Sequence, residues 1–430
     1  MIMGIKNRCN FSIGIIGLGY VGLPLAVEFA NKGFSVTGFE IDKKKINSIL
    51  AGKSYIDDVP SDIVKLLVNT KKMTATSNFA GLHKMKAVII CVPTPLRKTK
   101  DPDISYIISS VKKVIPHLKK GQMIILESTT YPGTTREIVL PMLEKSGLRV
   151  GKDFYLAFSP ERVDPGNKIY TIKNTPKVVG GITPKCSQYA HDLYSFIVDT
   201  VVTVSSTEAA EMVKLLENTF RAVNIGLVNE VALMCNTLHL DTWEIIDAAA
   251  SKPFGFMPFY PGPGIGGHCI PLDPHYLSWK LKMLNFYARF IELAADINSK
   301  MPEYLVKKIT DALNERSKSI KNSKLLILGI SYKKDVGDVR ESPALDVIEL
   351  LQAKQAKISY HDPYINKVTI KDTVYKSCAL NNKILSKYDC VIIATHHSVF
   401  NIPEIVKNAG LVIDARNATK GIKSKHIVKL

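Results

Sequence analysis

The 430-residue sequence has no CxxC pair and no His/Cys metal spacing, and its cysteine count is odd, at seven. Those absences argue against a disulfide framework and against a bound metal. Cysteines in apolar runs, such as Cys91 in AVIICVP and Cys390 in DCVIIA, suit buried thiols in a reducing, cytoplasmic setting. Low-complexity stretches and long runs of one charge sign are also missing, so disorder is not expected away from the ends. Acidic residues are in deficit, 39 against 57 Lys and Arg, for a net charge of +18. A basic balance can serve nucleic acid, a membrane surface or an anionic ligand. The lysines are scattered, as at Lys43–Lys45, Lys71–Lys72 and Lys333–Lys334, with no interleaved aromatics and no nucleic-acid motif. That pattern leaves a solvated surface or an anionic small ligand. One uncharged run, FSIGIIGLGYVGLPLAV, is long enough to span a membrane, but glycines and Pro24 interrupt it. It is expected neither to cross a membrane nor to act as a leader.

What is present is alternation. Short β-branched runs at Phe11–Ile16, Ser35–Phe39, Ala87–Val92, Met123–Glu127 and Phe154–Phe158 are separated by helix-like segments, which predicts βαβ units and a parallel sheet. From about Ser205 the period changes to that of a long helix, with Ser205 or Ser206 as N-cap and Glu208 in its first turn. A second long helix is expected from Ala288 to Arg316, and the Gly/Pro-rich stretch Lys252–Pro274 between them is too interrupted to be regular. Strand-like runs then return as LLILGIS, KISYHD, CVIIATHH and LVIDARN. They read as a degraded second copy of the first part, FSIGIIGLGYVG against SKLLILGISYKK and FSVTGFEID against AKISYHDPY. The expected fold is α/β, with two Rossmann-like doubly wound domains (1–203 and 317–430) joined by a central helical region (204–316). The second copy lacks GxGxxG and should bind a nucleotide differently, if at all.

Gly17-Leu18-Gly19-Tyr20-Val21-Gly22 gives GxGxxG at a strand-to-helix turn, where glycines allow a tight turn, close approach of pyrophosphate and helix–strand packing. A second strand ends at Glu40, at the distance of a ribose-binding acid, with Asp42 close by as the alternative. A carboxylate there repels a 2′-phosphate and so favours NAD over NADP. CVPTP and ESTTYPGTT each follow a strand of the same sheet and bring Thr94 and Thr129 to its ligand-facing end, although both also suit ordinary turns. The segment Tyr260–Pro274 embeds Cys269 among glycines and carries Asp273. A thiolate there can attack an aldehyde, and the thiohemiacetal can lose a hydride to become a thioester. A packed structural thiol is the other reading. Lys214 and Asn218, four apart, share one helix face with Glu217 nearby, which is either an exposed face or a holder of an alkoxide or water.

Together these segments resemble the UDP-glucose/GDP-mannose (nucleotide-sugar) 6-dehydrogenase family. The resemblance covers nearly the whole chain in the family's order, through GLGYVGLP, CVPTP, ESTTYPGTT, FSPERVDPG, EMVKLLENTFRAVNIGLVNE, PGPGIGGHCIPLDP and GDVRESPA. It implies four-electron oxidation of a UDP-sugar alcohol to the acid, with two NAD reduced in turn. Cys269 would be the nucleophile and Glu161 the activator of the hydrolytic water. Lys214, Asn218, Asp273 and Thr129 would hold that water and the oxyanions. NAD would meet Gly17, Gly19, Tyr20, Val21, Gly22, Glu40, Thr94, Thr129 and Arg340. The UDP-sugar would meet Glu161, Arg162, Lys214, Asn218, Tyr260, Gly264, Gly266 and Lys333. Glu40 departs from the Asp common in the family. KPFGFMPFYPGPGIGGHCIPLDP looks most like the branch acting on UDP-N-acetylglucosamine, with UDP-N-acetylmannosamine and UDP-glucose as alternatives. The resemblance also implies a homo-oligomer formed through the central helices, with neither nucleic acid nor membrane as partner. Two competing readings are a two-electron hydroxyacid dehydrogenase with a buried Cys269, and an NAD-binding regulator or nucleic-acid binder.

Overall fold

The computed structural model describes residues 11–97, 101–162, 164, 167 and 169–430. Val163, Pro165 and Gly166 of the SPERVDPG motif therefore lie outside the described residues. The chain forms two compact units, one from the residues up to Glu217 with His275–Phe286, the other from Asn218–Pro274 with Tyr287–Leu430.

The first unit is built on an eight-stranded sheet of β1 (Ser12–Ile16), β2 (Ser35–Phe39), β3 (Met73–Thr76), β4 (Ala87–Ile90), β5 (Met123–Leu126), β6 (Tyr155–Phe158), β7 (Lys177–Gly181) and β8 (Val201–Thr203). Its order is β3-β2-β1-β4-β5-β6-β7-β8, parallel except between β6 and β7. The period of two divides each central strand between two cores. Ile13, Ile15, Ile89 and Ile125 pack on one face with Phe29, Phe34 and Tyr194, while Ile16, Val88, Ile90 and Leu126 pack on the other with Phe39 and Val139. Burial on both faces is why these strands read as continuous apolar runs. Five strands were expected here; β3 and β8 are short edge strands and β7 ends in two glycines, so their sequences carry little apolar signal.

The second unit repeats the plan. Its sheet runs β10-β9-β13-β14-β15, all parallel, from β9 (Lys324–Leu328), β10 (Lys357–His361), β13 (Cys390–Ile393), β14 (Val412–Asp414) and β15 (Ile427–Lys429). Beyond β10, where the first sheet has β3, stands the hairpin β11 (Lys367–Ile370) and β12 (Thr373–Lys376). The repeat extends to single hydrogen bonds. Gly17 N donates to Phe39 O and Gly329 N to His361 O, both at 2.9 Å. Leu18 N donates to the Glu40 carboxylate at 3.0 Å, and Ile330 N to that of Asp362 at 2.7 Å. Asp362 differs in being closed over by His397, fully buried, whose Nε2 lies 3.1 Å from it. Burial alone would raise the Asp362 carboxyl, but the His397 ring and backbone N–H groups bring it down to about 2.

The long helix Thr207–Thr237 begins after Ser206, whose Oγ accepts from Ala209 N at 3.1 Å, which settles the N-cap between the two serines. The second long helix, Arg289–Asn314, crosses it where Gly226 leaves room: a Cβ at Gly226 would lie 3.1 Å from Ala294 Cα. Beside this crossing Asn229 Nδ2 donates to Asn298 Oδ1 at 2.8 Å, and Asn229 Oδ1 accepts Gly262 N at 3.0 Å. Two helices and the Gly/Pro-rich segment are thus tied by one buried amide. Among the described residues no helix is long and apolar enough to cross a membrane, and no cluster of His, Cys, Asp and Glu could hold a metal ion.

Replacing Asn229 by alanine strands the Gly262 N–H and one side of Asn298, a loss of about 2 kcal/mol. Calorimetry should show the unfolding midpoint lowered by roughly 4–8 °C; an unchanged midpoint would contradict the role given to this amide.

Candidate active site

The first unit carries the glycine turn, and each glycine there has its own cause. Gly17 has φ +89°, and a Cβ would lie 2.8 Å from Cys91 O, so the turn and the strand contact both require it. A Cβ at Gly22 would meet Gly17 O at 1.9 Å, so Gly22 lets the first helix (Gly22–Asn31) pack on the turn. Gly19 has nothing within 4 Å of a Cβ, leaving that stretch of backbone open to approach. Val21 stands at the N-cap position and offers no side-chain cap, and Tyr20 beside it is half-exposed. Open backbone at an uncapped helix N-terminus is the arrangement that receives a pyrophosphate.

The two candidate ribose acids separate clearly. Glu40 is buried and accepts from Leu18 N at 3.0 Å, Ile41 N at 2.8 Å and Asp42 N at 3.1 Å, which fixes its carboxylate against the glycine turn. Asp42 is exposed and caps the helix Lys43–Leu50 by accepting from Lys44 N at 2.8 Å. Thr94 is buried, and its carbonyl accepts from the Tyr276 hydroxyl.

Thr129 lies in the loop after β5, between Ser128, whose hydroxyl donates to Val92 O at 2.7 Å, and Thr130, which shares a 2.6 Å bond with Thr134. That loop is anchored by Glu211 of the long helix, which accepts from Gly133 N, Thr135 N and the Thr135 hydroxyl at 2.6, 2.9 and 2.7 Å. Burial pushes the Glu211 carboxyl up to about 7, against the pull of those donors. Lys214, one turn further along, is buried.

Glu161 follows β6. Its Oε1 accepts from Arg162 N at 2.8 Å, and its Oε2 lies 3.5 Å from Lys177 Nζ. The Arg162 guanidinium turns away to grip Glu217 with two bonds, at 2.6 and 3.3 Å. Lys177 also reaches Glu127 at 2.7 Å, and Glu127 accepts from the Tyr194 hydroxyl at 2.5 Å. Glu127, Lys177, Tyr194 and Glu211 were not found from sequence. Glu127 opens ESTTYPGTT and was in view, whereas Lys177 reads as an ordinary charged residue before a strand.

The second unit carries the thiol. Among the described cysteines Cys269 alone is exposed; Cys91, Cys186, Cys235 and Cys390 are buried and Cys378 is partly so. Its carbonyl accepts from Asp273 N at 2.8 Å, where the helix Asp273–Lys282 begins. Asp273 is buried, and its carboxylate accepts from Asn218 Nδ2 at 2.6 Å. Cys269, Asp273 and Asn218 are therefore brought together. The neighbouring glycines have a packing cause as well as any role in access: a Cβ at Gly266 would lie 2.7 Å from Tyr332 and one at Gly264 3.1 Å from Pro343. Gly267 N donates to Arg340 O at 3.1 Å, which ties the cysteine segment to the one bearing Lys333 and Arg340. The Arg340 side chain pairs with Asp338 at 2.6 Å. Tyr260 stacks on Trp243 and donates to Asp247 at 3.0 Å.

Three family models match in chain order: the NAD binding domain of the UDP-glucose/GDP-mannose dehydrogenase family over residues 11–198, its central domain over 208–300 and its UDP binding domain over 326–421. The chain is 34% identical to the UDP-N-acetyl-D-glucosamine 6-dehydrogenase of Pseudomonas aeruginosa, over 97% of this chain and 96% of that one. It is also 34% identical to a UDP-N-acetyl-D-mannosamine dehydrogenase of Methanococcus maripaludis, over 96% and 93%. The solved UDP-N-acetyl-D-mannosamine dehydrogenase of Pyrococcus horikoshii superposes with a TM-score of 0.89 at 33% identity, covering 97% of this chain and 99% of that one.

Two measurements check the first unit. Gly19→Ala should keep the melting temperature while weakening NAD binding in a fluorescence titration, whereas Gly22→Ala should lower both; equal effects would contradict the separate causes given above. Between pH 4.5, the ordinary Glu value, and about 7, the native state holds a proton at Glu211 that the unfolded chain releases, so stability falls as pH rises. The stability of the wild type relative to Glu211→Gln should decline across that window, and a pH-independent difference would refute the elevated carboxyl.

Proposed function

The chain belongs to the UDP-glucose/GDP-mannose dehydrogenase family, and from that premise we propose how this NAD-dependent UDP-sugar dehydrogenase works and on which sugar. The proposed substrate is UDP-N-acetylglucosamine, oxidised at C6 to the uronate through a thioester on Cys269. The observation that carries the reading is the exposed Cys269 thiol, two residues beyond Gly267 and one helical turn before Asp273, whose carboxylate is held by Asn218.

Bound NAD supplies the hydride acceptor for both oxidations, and the open backbone at Gly19 with the carboxylate at Glu40 fits it. Thr94 and Thr129 flank its site in this reading, and Lys333 and Arg340 bring positive charge to the diphosphates. As the C6 hydroxyl is oxidised to the aldehyde, its proton leaves through a water held by Asp273 and Lys214. The Cys269 thiolate then adds to the aldehyde carbon, and Lys214 and Asn218 stabilise the alkoxide that forms. Such contacts are worth about 3–4 kcal/mol of barrier each. Loss of a second hydride gives the thioester. Glu161 takes a proton from water as that water attacks the thioester carbon, and the C–S bond breaks to return the thiolate. Arg162, Tyr260, Gly264 and Gly266 complete the sugar-nucleotide contacts, and the bounds 1–203, 204–316 and 317–430 divide the cofactor, helical and UDP parts. Leu216, Phe220, Leu227 and Met234, all exposed on one long helix, support assembly of the cytoplasmic enzyme into a homo-oligomer.

The second reading replaces the sugar with UDP-N-acetylmannosamine, the substrate named for relatives as similar as the Pseudomonas one. A panel of UDP-glucose, UDP-N-acetylglucosamine, UDP-N-acetylmannosamine and UDP-N-acetylgalactosamine, followed by NADH absorbance, separates them. The expected result is fastest turnover of UDP-N-acetylglucosamine with two NADH per sugar. Cys269→Ser should lose uronate formation by on the order of a thousandfold or more. One NADH per sugar, or an active Cys269→Ser enzyme, would refute the thioester route.

A further inference from the structure

Two carboxylates lie within reach of one buried ammonium in the first unit, an arrangement whose desolvation is costly. Glu127 follows β5 directly and is buried; Lys177 opens β7 and is 6% exposed. Glu161 lies on the chain between β6 and β7, and its side chain is 10% exposed. The antiparallel pairing of β6 with β7, Phe158 against Gly180, brings the segment after β6 back beside the first residue of β7. Lys177 Nζ is 2.7 Å from Glu127 and 3.5 Å from Glu161. Three neutral donors also meet these carboxylates. The Tyr194 hydroxyl, at the end of its helix, bonds Glu127 at 2.5 Å; the Cys91 thiol, after β4, lies 3.8 Å from the second Glu127 oxygen; and Arg162 N bonds Glu161 at 2.8 Å. The Arg162 guanidinium itself is paired with Glu217.

We propose that Lys177 is a positioning residue for Glu161, sharing its ammonium between two carboxylates so that Glu161 stays ionised and aimed while Glu127 balances the charge behind it. The proposal rests on the reading above in which Glu161 is the base of thioester hydrolysis. In that step a water O–H bond breaks, its proton goes to Glu161, the new C–O bond forms, and the electron pair of the C–Sγ bond leaves with the Cys269 thiolate. Only an ionised Glu161 can take the proton, so activity must fall as pH falls through its titration. Burial raises the Glu127 carboxyl, with Lys177 pulling it down, and burial alone would lower the Lys177 ammonium, but the two carboxylates hold it well above its ordinary value. The ammonium therefore stays charged through the working range and is shared between the two carboxylates. A lysine serving only to neutralise Glu127 would have no need to lie within reach of Glu161 as well.

The test is the pH dependence of kcat for the full-length enzyme at saturating NAD and UDP-N-acetylglucosamine, or UDP-N-acetylmannosamine if that sugar turns over faster. Lys177→Met should move the acid limb upward by about one unit or more, with KM little changed and activity partly recovered at high pH. Lys177→Arg should leave the limb near its wild-type position. Glu127→Gln should move it the opposite way, downward, because Glu161 then has the ammonium to itself. A wild-type limb in both Lys177→Met and Glu127→Gln would overturn the proposal. If Lys177→Met does not fold, the direction of the shift in Glu127→Gln decides alone. Glu161→Gln identifies where a failure lies: a wild-type profile in that variant removes the base itself and the proposal with it. A lost acid limb in Glu161→Gln beside unmoved limbs in the other two leaves the base standing and rejects Lys177 as its support.

Discussion

A backbone N–H donated to a carboxylate at the end of the second strand holds both nucleotide-type sheets in shape. Where the chain turns away at the end of a buried strand, its next N–H groups lose their sheet partners and must find others. In the first sheet Glu40 takes Leu18 N, and in the second Asp362 takes Ile330 N. The same turns place Gly17 and Gly329 at φ +89° and +75°, each so close to the segment after the neighbouring strand, β4 or β13, that a Cβ would collide with a carbonyl. The sheets diverge at the carboxylate. Glu40 faces a turn with open backbone at Gly19, whereas Asp362 is covered by His397 and by the Ser331 hydroxyl. One chain thus keeps the same backbone-to-carboxylate bond in both copies but leaves the neighbouring backbone open only in the first.

Around that frame buried polar side chains do two kinds of work. Asn229, Glu211 and Glu40 satisfy backbone N–H groups of irregular segments, and so fix where those segments run. Lys177, Glu127 and Glu161 form a buried charge group in which each member sets the state of the others. The cost of burying such charges is recovered only with near-ideal partners, which makes a purely structural purpose a poor explanation for three of them.

The parallel strands were legible because burial on both faces forces unbroken apolar runs such as Val88-Ile89-Ile90. The repeat was legible for the same reason, even though GxGxxG had been lost from the second copy. The last two strands of the first sheet were not, since β7 starts at Lys177 and ends in two glycines, and the edge strand β8 is three residues long and largely exposed. The thiol segment stands out through its glycines, but the packing of Gly264 and Gly266 against Pro343 and Tyr332 joins residues far apart in the chain and leaves no local signal. Lys177 was invisible for a physical reason. Its partners Glu127 and Glu161 lie on other strand ends, and only the antiparallel reversal of β6 into β7 joins them.

The central claim is that Cys269 becomes acylated during turnover. Acid-quenched mass spectrometry of the Cys269 peptide, taken from enzyme turning over UDP-N-acetylglucosamine and NAD, tests it most directly. An adduct with the mass of the UDP-linked uronyl group is expected, increased when Glu161 is replaced by Gln. A Cys269 peptide that stays unmodified throughout steady turnover, in both enzymes, would contradict it.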